Sequence, residues 1–327
     1  MMKLILTQPL CPEALKMIGE KDEVYLANNG NPADYPEVMK DVDIFILRLG
    51  KIDRDVIKNS PGLKVIGKVG VGYDTVDIAA ATEAGIPVVI TPGANSRSVA
   101  EHTLAMMMAI SKDLVNTYNE TKKGNFNEAR SSGRLFEMFG KTAGIIGLGS
   151  IGAEVARLCK ALGMVVLAFD PFLTKERIES HGCVFYADYE DMIKECDFIS
   201  IHVPLTENTK VMIGERQFFM MKKTGILINC ARSGIVDEKA LIEALEAHTI
   251  AAAGIDVFQT EPPDPDNPLL TTRNLLYSPH SAAQTREAII KMHTMCMEGC
   301  LAIARGKRYP HIVDNAVYQH PRWKECC

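Results

Sequence analysis

The stretch TAGIIGLGSIG (142–152) constrains this chain more than any other. An apolar, β-branched run passes straight into three glycines, Gly147, Gly149 and Gly152, around Ser150 and Ile151, and then into the helical pattern AEVARLCKAL (153–162). The hexapeptide GxGxxG alone occurs by chance in many chains, but a strand before it and a helix after it make the opening βα unit of a dinucleotide-binding sheet. The glycines permit a tight turn and let helix N–H groups approach a pyrophosphate, whose charge the helix dipole favours. Eighteen residues beyond Gly152, the apolar run MVVLAFD ends at Asp170. A carboxylate there accepts hydrogen bonds from ribose hydroxyls and repels a 2′-phosphate, and Pro171 and Phe172 follow with no immediate Arg or Lys. The expected cofactor is NAD.

The rest of the chain alternates in the same way. Buried parallel strands are expected at KLILT (3–7), DIFIL (43–47), KVIGKV (64–69) and PVVIT (87–91), with helices at 12–20, 34–41, 53–59 and 77–85 between them. A long helix is expected from Ser98 to about Lys123, with Ser98 and Glu101 as a capping box. Its Met106–Met108 run reads as packing. A second series supplies strands at 142–149, 164–170, 198–203, 226–231, 252–258 and 275–280, and a final helix pattern covers 285–307. Its place after the second series suggests a return to the first domain. The expected class is α/β with two doubly wound parallel-sheet domains. The expected boundaries are 1–97 plus 286–327 for one domain and 98–285 for the dinucleotide-binding one.

A chain of 327 residues fits two such domains. Its formal net charge is −5 and it has no dense Lys/Arg run, so no general footprint for nucleic acid is expected. No stretch approaches the ~20 apolar residues that span a bilayer, and the first ten residues lack the three-part plan of a signal peptide. Nine cysteines are scattered without a CxxC or zinc spacing, so no metal is expected and the thiols read as reduced, in the cytoplasm. The terminal Cys326–Cys327 pair reads as exposed thiols, not a lipid anchor.

Three polar signals fall where strand ends meet a ligand crevice: Cys230-Ala231-Arg232 after ILINCA, Asp256 with Glu261-Pro-Pro after AAGID, and Ser278-Pro-His280 after LLY. Singly, each has a bland reading as surface charge, loop or structural histidine. Beside a nicotinamide site they match the needs of hydride exchange with a 2-oxo acid. Arg232 suits the carboxylate, which a guanidinium binds bidentately. His280 suits the proton, since imidazole gives and takes it near neutral pH. Glu261 suits the imidazolium, whose charged form a neighbouring carboxylate favours, raising its pKa.

The ordered motifs GLGSIG, Asp170, HVPLTENT (202–209), NCARSGIVDEKAL (229–241), DVFQTEPP (256–263) and SPHSAAQT (278–285), with GVGYDTVD (70–77) and GANSRSVAEHT (93–103) before them, resemble the D-isomer-specific 2-hydroxyacid dehydrogenases. The resemblance covers essentially the whole chain. It implies a flavodoxin-like substrate domain completed by the C-terminal helix, a Rossmann NAD-binding domain, a cleft that closes by a hinge, and a homodimer formed through the NAD-binding domain. It implies a small 2-hydroxy or 2-oxo acid substrate, in the manner of phosphoglycerate dehydrogenases or glyoxylate/hydroxypyruvate reductases, with Arg232, Glu261 and His280 in the roles above. Formate dehydrogenases carry Gln where Glu261 stands.

The cofactor contacts it implies are Val71, Ser150, Ile151, Asp170, Val203, Pro204, Thr209, Cys230, Ala231, Arg232, Asp256, His280, Ala282 and Ala283. On the substrate side are Arg48, Asn95 and the backbone N–H groups of Val69, Gly70 and Val71, with Arg97 as a loop residue able to reach the cleft. Leu49 beside Arg48 hints at an apolar or short substrate. A nucleophilic Cys230 is not expected, because no base is paired with it. The alternative function is an NADH-sensing, corepressor-like interaction protein on the same fold.

Overall fold

A computed structural model describes residues 1–27, 39–48, 50–131, 133 and 135–323. The chain divides into two compact units, Met1–Asn95 with Thr285–Cys327, and Ser96–Gln284.

In the first unit, β1 (Lys3–Leu6), β2 (Glu23–Leu26), β3 (Ile44–Leu47), β4 (Val65–Lys68) and β5 (Val88–Val89) pair in parallel in the order β2-β1-β3-β4-β5. That is the flavodoxin-like order. Strands β3 and β4 are buried at every position; β3 accordingly reads as a continuous apolar run, and β4 as one that ends in Gly67 and the buried Lys68. The edge strand β2 has no buried position, and its polar, alternating sequence gave no such signal. The helix Arg286–Ala304 packs on β4, where Gly67 makes room for it: a Cβ there would stand 2.5 Å from Cys300 Sγ and 2.7 Å from Cys296 Sγ. Farther on, Trp323 Nε1–H donates to Gly85 O at 2.9 Å, holding the last described residues against the unit.

The second unit has seven parallel strands: β6 (Thr142–Ile146), β7 (Val165–Phe169), β8 (Val184–Phe185), β9 (Phe198–Ile201), β10 (Ile226–Asn229), β11 (Ala252–Ile255) and β12 (Leu275–Tyr277). Their order is β12-β11-β10-β9-β6-β7-β8, the Rossmann arrangement with a seventh strand. The sequence led to six; the two-residue β8 is too short to carry a periodic signal.

The helix expected from 98 to 123 is two helices, Ser96–Ser111 and Leu114–Lys122. The break is at Asp113, whose φ of 44° is left-handed, a region Asp enters more readily than most residues. Ser98 caps nothing; it lies inside the first helix, and Glu101 pairs with Arg97 at 2.7 Å. The helix expected at 34–41 falls mostly outside the described residues, as do Leu49 and the terminal cysteines. Among the described residues, no helix is long and apolar enough to cross a membrane.

Candidate active site

Because the strands of the second unit are parallel, the loops after β6, β7, β9, β10, β11 and β12 all leave the same edge of the sheet. In such sheets, ligands bind at that edge, near the point where the strand order reverses, here between β6 and β9.

The glycine turn is built as a cradle. Gly147 has φ 90°, and a Cβ on it would stand 2.8 Å from His202 O and Val203 Cγ1, so the loops after β6 and β9 touch. A Cβ on Gly152 would lie 2.0 Å from Gly147 O, which only glycine avoids. At Gly149, by contrast, a Cβ would meet nothing within 4 Å. Gly149 is also the N-cap of the helix Ser150–Ala161 and offers no side-chain cap, so the N–H groups of the first turn are not spent on one. Asp170 borders the turn: Leu148 N–H donates to its Oδ2 and Phe172 N–H to its Oδ1, each at 2.9 Å. A pyrophosphate with an adjacent ribose fits these residues, donors for the anion and a carboxylate for the hydroxyls.

After β9, Thr209 closes its own loop, its hydroxyl donating to Pro204 O at 2.6 Å and accepting from Thr206 N–H at 2.8 Å. His202 is held by Ser200 Oγ at 2.8 Å, and burial pulls its pKa down to about 3. Its imidazole therefore stays neutral near neutral pH and supplies no proton there.

After β10, the buried Asn229 folds the chain back on itself. Its Oδ1 accepts from Ala231 N–H at 3.0 Å and its Nδ2 donates to Arg232 O at 2.9 Å. That presents Arg232, half-buried, with one guanidinium N–H on Ala231 O at 2.8 Å. Burial pushes the Cys230 thiol up to about 12, which removes it as a nucleophile.

After β11, Phe258 N–H donates to Glu261 Oε1 at 3.1 Å and Gln259 N–H to Glu238 Oε1 at 2.7 Å, fixing the loop. Glu261 Oε2 then lies 2.7 Å from His280 Nδ1, beyond β12. A carboxylate only accepts, so Nδ1 donates to it and Nε2 is left outward. His280 itself has a left-handed backbone, φ 51°. Asp256 is fully buried and accepts from Ser278 Oγ at 2.5 Å, Ser281 N–H at 2.8 Å and Ala282 N–H at 2.8 Å, so its carboxylate organises the turn that carries His280. Ala283 follows, half-buried. Sequence reasoning had no signal for Asn229 or Ser278 as organisers beyond their places at strand ends, where Asn and Ser form turns.

In the first unit, Arg48 follows β3, half-buried, and burial lowers its guanidinium pKa from the ordinary value. Its carbonyl accepts from Lys68 Nζ at 2.7 Å. Asn95 is buried, and its Oδ1 meets no partner among the described residues. The N–H groups of Val69 and Gly70 are committed to Leu47 O at 2.9 Å and Thr91 Oγ1 at 3.0 Å. They are therefore not free to grip a substrate carboxylate as expected, and among the described residues the Val71 N–H is the one of the three left for it. Arg97, in the second unit, is tied to Glu101 and Glu154 and is a helix-to-helix link.

A model of the D-isomer specific 2-hydroxyacid dehydrogenase NAD binding domain matches residues 104–282. A D-3-phosphoglycerate dehydrogenase of Methanocaldococcus jannaschii is 43% identical over 315 residues, 96% of this chain and 60% of that protein. This chain spans 58% of the corresponding Archaeoglobus fulgidus protein. A glyoxylate reductase of Aeropyrum pernix is 35% identical over 324 residues, 96% of both chains. Among solved structures, a D-lactate dehydrogenase with NAD+ from Lactobacillus jensenii superposes with a TM-score of 0.77 at 32% identity, covering 96% of this chain and 100% of that one. The two-sheet architecture agrees with these matches, and the chain belongs to the D-isomer specific 2-hydroxyacid dehydrogenase family.

Proposed function

We propose that this chain is an NAD-dependent oxidoreductase that interconverts a D-2-hydroxy acid and its 2-oxo acid. The observation that carries the reading is the 2.7 Å pairing of His280 Nδ1 with Glu261 Oε2 on the sheet edge that also bears the glycine cradle. Bound NADH supplies the hydride. Arg232 holds the substrate carboxylate through its guanidinium fork and draws electron density from the adjacent carbonyl. His280 Nε2 delivers a proton to the carbonyl oxygen and retrieves it in the reverse direction. Glu261 fixes the ring orientation and offsets the imidazolium charge. Gly147 to Gly152 hold the pyrophosphate and Asp170 the ribose. Val203, Pro204, Thr209, Cys230, Ala231, Ala282 and Ala283 line the cofactor, with Asp256 behind them. Arg48, Val71 and Asn95 serve the substrate side.

The names of the relatives favour short 2-oxo acids. The test is NADH oxidation over glyoxylate, hydroxypyruvate, pyruvate, 2-oxoisocaproate and phosphohydroxypyruvate. Turnover of at least one is expected; tight NADH binding without turnover of any would favour the sensing alternative. Asp170→Asn keeps an acceptor for Leu148 N–H and removes the charge. It should shift the NADH:NADPH preference toward NADPH by roughly tenfold or more, about 1.4 kcal/mol. An unchanged ratio would remove Asp170 from cofactor choice.

The working form we propose is a cytoplasmic homodimer joined through the NAD-binding domain. Support comes from the helix Leu114–Lys122, which buries none of its residues while Leu114, Val115 and Tyr118 stand 59%, 51% and 64% exposed, with Phe126 at 57% nearby. Sedimentation equilibrium should give a dimer that Leu114→Glu with Tyr118→Glu splits. A wild-type monomer would contradict the assignment.

A further inference from the structure

We infer that His102 is a positioning residue for His280, acting with Ser98 as a two-point clamp on the turn Ser278–Ala282. The inference rests on the acid/base role proposed for His280. Ser98 and His102 are four residues apart in the helix Ser96–Ser111 and so share a face. That helix lies close against β11: a Cβ on Gly254 would stand 3.3 Å from Met106 Sδ. Ser98 Oγ–H donates to Ala282 O at 2.5 Å. His102 Nε2 lies 2.9 Å from Ser278 Oγ and 3.7 Å from Asp256 Oδ1. The two contacts straddle His280.

The direction of the hydrogen bonds follows from counting protons. Asp256 is a fully buried carboxylate that already accepts N–H bonds from Ser281 and Ala282, and it can only accept. The single hydroxyl proton of Ser278 therefore points to Asp256 Oδ1, 2.5 Å away. Ser278 Oγ in turn accepts from His102, so Nε2 of that ring carries the hydrogen. The chain runs from His102 through Ser278 to Asp256, and from Asp256 to the backbone on the far side of His280. A left-handed backbone at a histidine persists only where its surroundings over-determine it, and this network supplies that determination. Loss of the His102 donor leaves Ser278 free to rotate and the His280 ring free to leave Glu261.

The test uses the whole chain, with wild type first assayed for NADH oxidation by 2-oxo acids. His102→Phe keeps a ring without a donor; His102→Gln restores an N–H near the Nε2 position; Ser278→Ala removes the relay. His102→Phe should lower kcat roughly 10- to 10²-fold, as small displacements of a reacting group do, with the KM for NADH within about twofold. His102→Gln should recover most of that loss. Ser278→Ala, which also strips the hydroxyl from Asp256, should cost at least as much as His102→Phe, and the double variant should be no worse than Ser278→Ala, because both cut one chain. Independently of turnover, the downfield Nδ1–H resonance of His280 in 15N-labelled protein should be present in wild type and broadened or lost in His102→Phe. If that variant does not fold, Ser278→Ala carries both readouts. Wild-type kcat in the Phe variant, equal losses in Phe and Gln, or additive losses in the double variant would overturn the clamp. Should wild type fail to turn over any 2-oxo acid, the functional reading falls, and the resonance decides the clamp alone: unchanged in His102→Phe, it refutes it.

Discussion

Replacing His280 by asparagine should cut turnover by roughly 10²–10⁴-fold, the usual worth of a general acid–base group, while the Kd for NADH stays within a few-fold. Asparagine is the informative substitution. The position has φ 51°, a conformation Asn enters readily and Ala resists, so Asn removes the ring without reshaping the turn. Glu261 would then face a neutral amide in place of the Nδ1 that lies 2.7 Å from its Oε2. His202 cannot replace the lost proton donor, since burial keeps its pKa at about 3. Steady-state kinetics with a saturating 2-oxo acid, beside NADH fluorescence titration, measures both quantities. Near-wild-type turnover would remove His280 from the chemistry.

The second large effect should come at Arg232. In its proposed role, Arg232 pairs bidentately with the substrate carboxylate, so Arg232→Ala should cost about 3 kcal/mol, or roughly 10²-fold in kcat/KM for the 2-oxo acid. Binding of NADH should hardly change, because the glycine cradle and Asp170 are built from other loops. The loop itself should survive the truncation, as Asn229 holds it through backbone atoms at 2.9–3.0 Å. Arg232→Lys should recover only part of the loss, since an ammonium offers a point charge without the planar fork. An Ala variant that loses NADH and substrate affinity equally would contradict the assignment.

Local chemistry is what the sequence made legible. The cradle could be read because a tight turn, a close approach and a helix start each demand a particular residue type at a fixed spacing, and Gly147, Gly149 and Gly152 meet all three. The continuous apolar strands could be read because both faces of a parallel sheet are buried. Edge strand β2 and the two-residue β8 lack that burial or length, and both were missed. The split of the long helix turns on one left-handed residue, Asp113, in an otherwise unbroken periodic pattern. Arg232, Glu261 and His280 were visible as strand-end residues, but their partners were not. The bond from His102 to Ser278 spans 176 residues, and no periodicity encodes a contact at that separation. Nor could the sequence reveal that the N–H groups of Val69 and Gly70 are already spent on Leu47 and Thr91.

Hydrogen from C4 of the dihydronicotinamide should arrive at the second carbon of the 2-oxo acid, and isotope tracing follows it. The chain would be supplied with NADH deuterated at both C4 positions and whichever 2-oxo acid of the panel other than glyoxylate, whose product has no stereocentre, it reduces fastest, and the product analysed by mass and by chiral chromatography. The expected product is a D-2-hydroxy acid carrying one deuterium at C2, with His280→Asn forming it at the reduced rate given above. Product without deuterium, an L-hydroxy acid, or no product with any panel member despite tight NADH binding would contradict it.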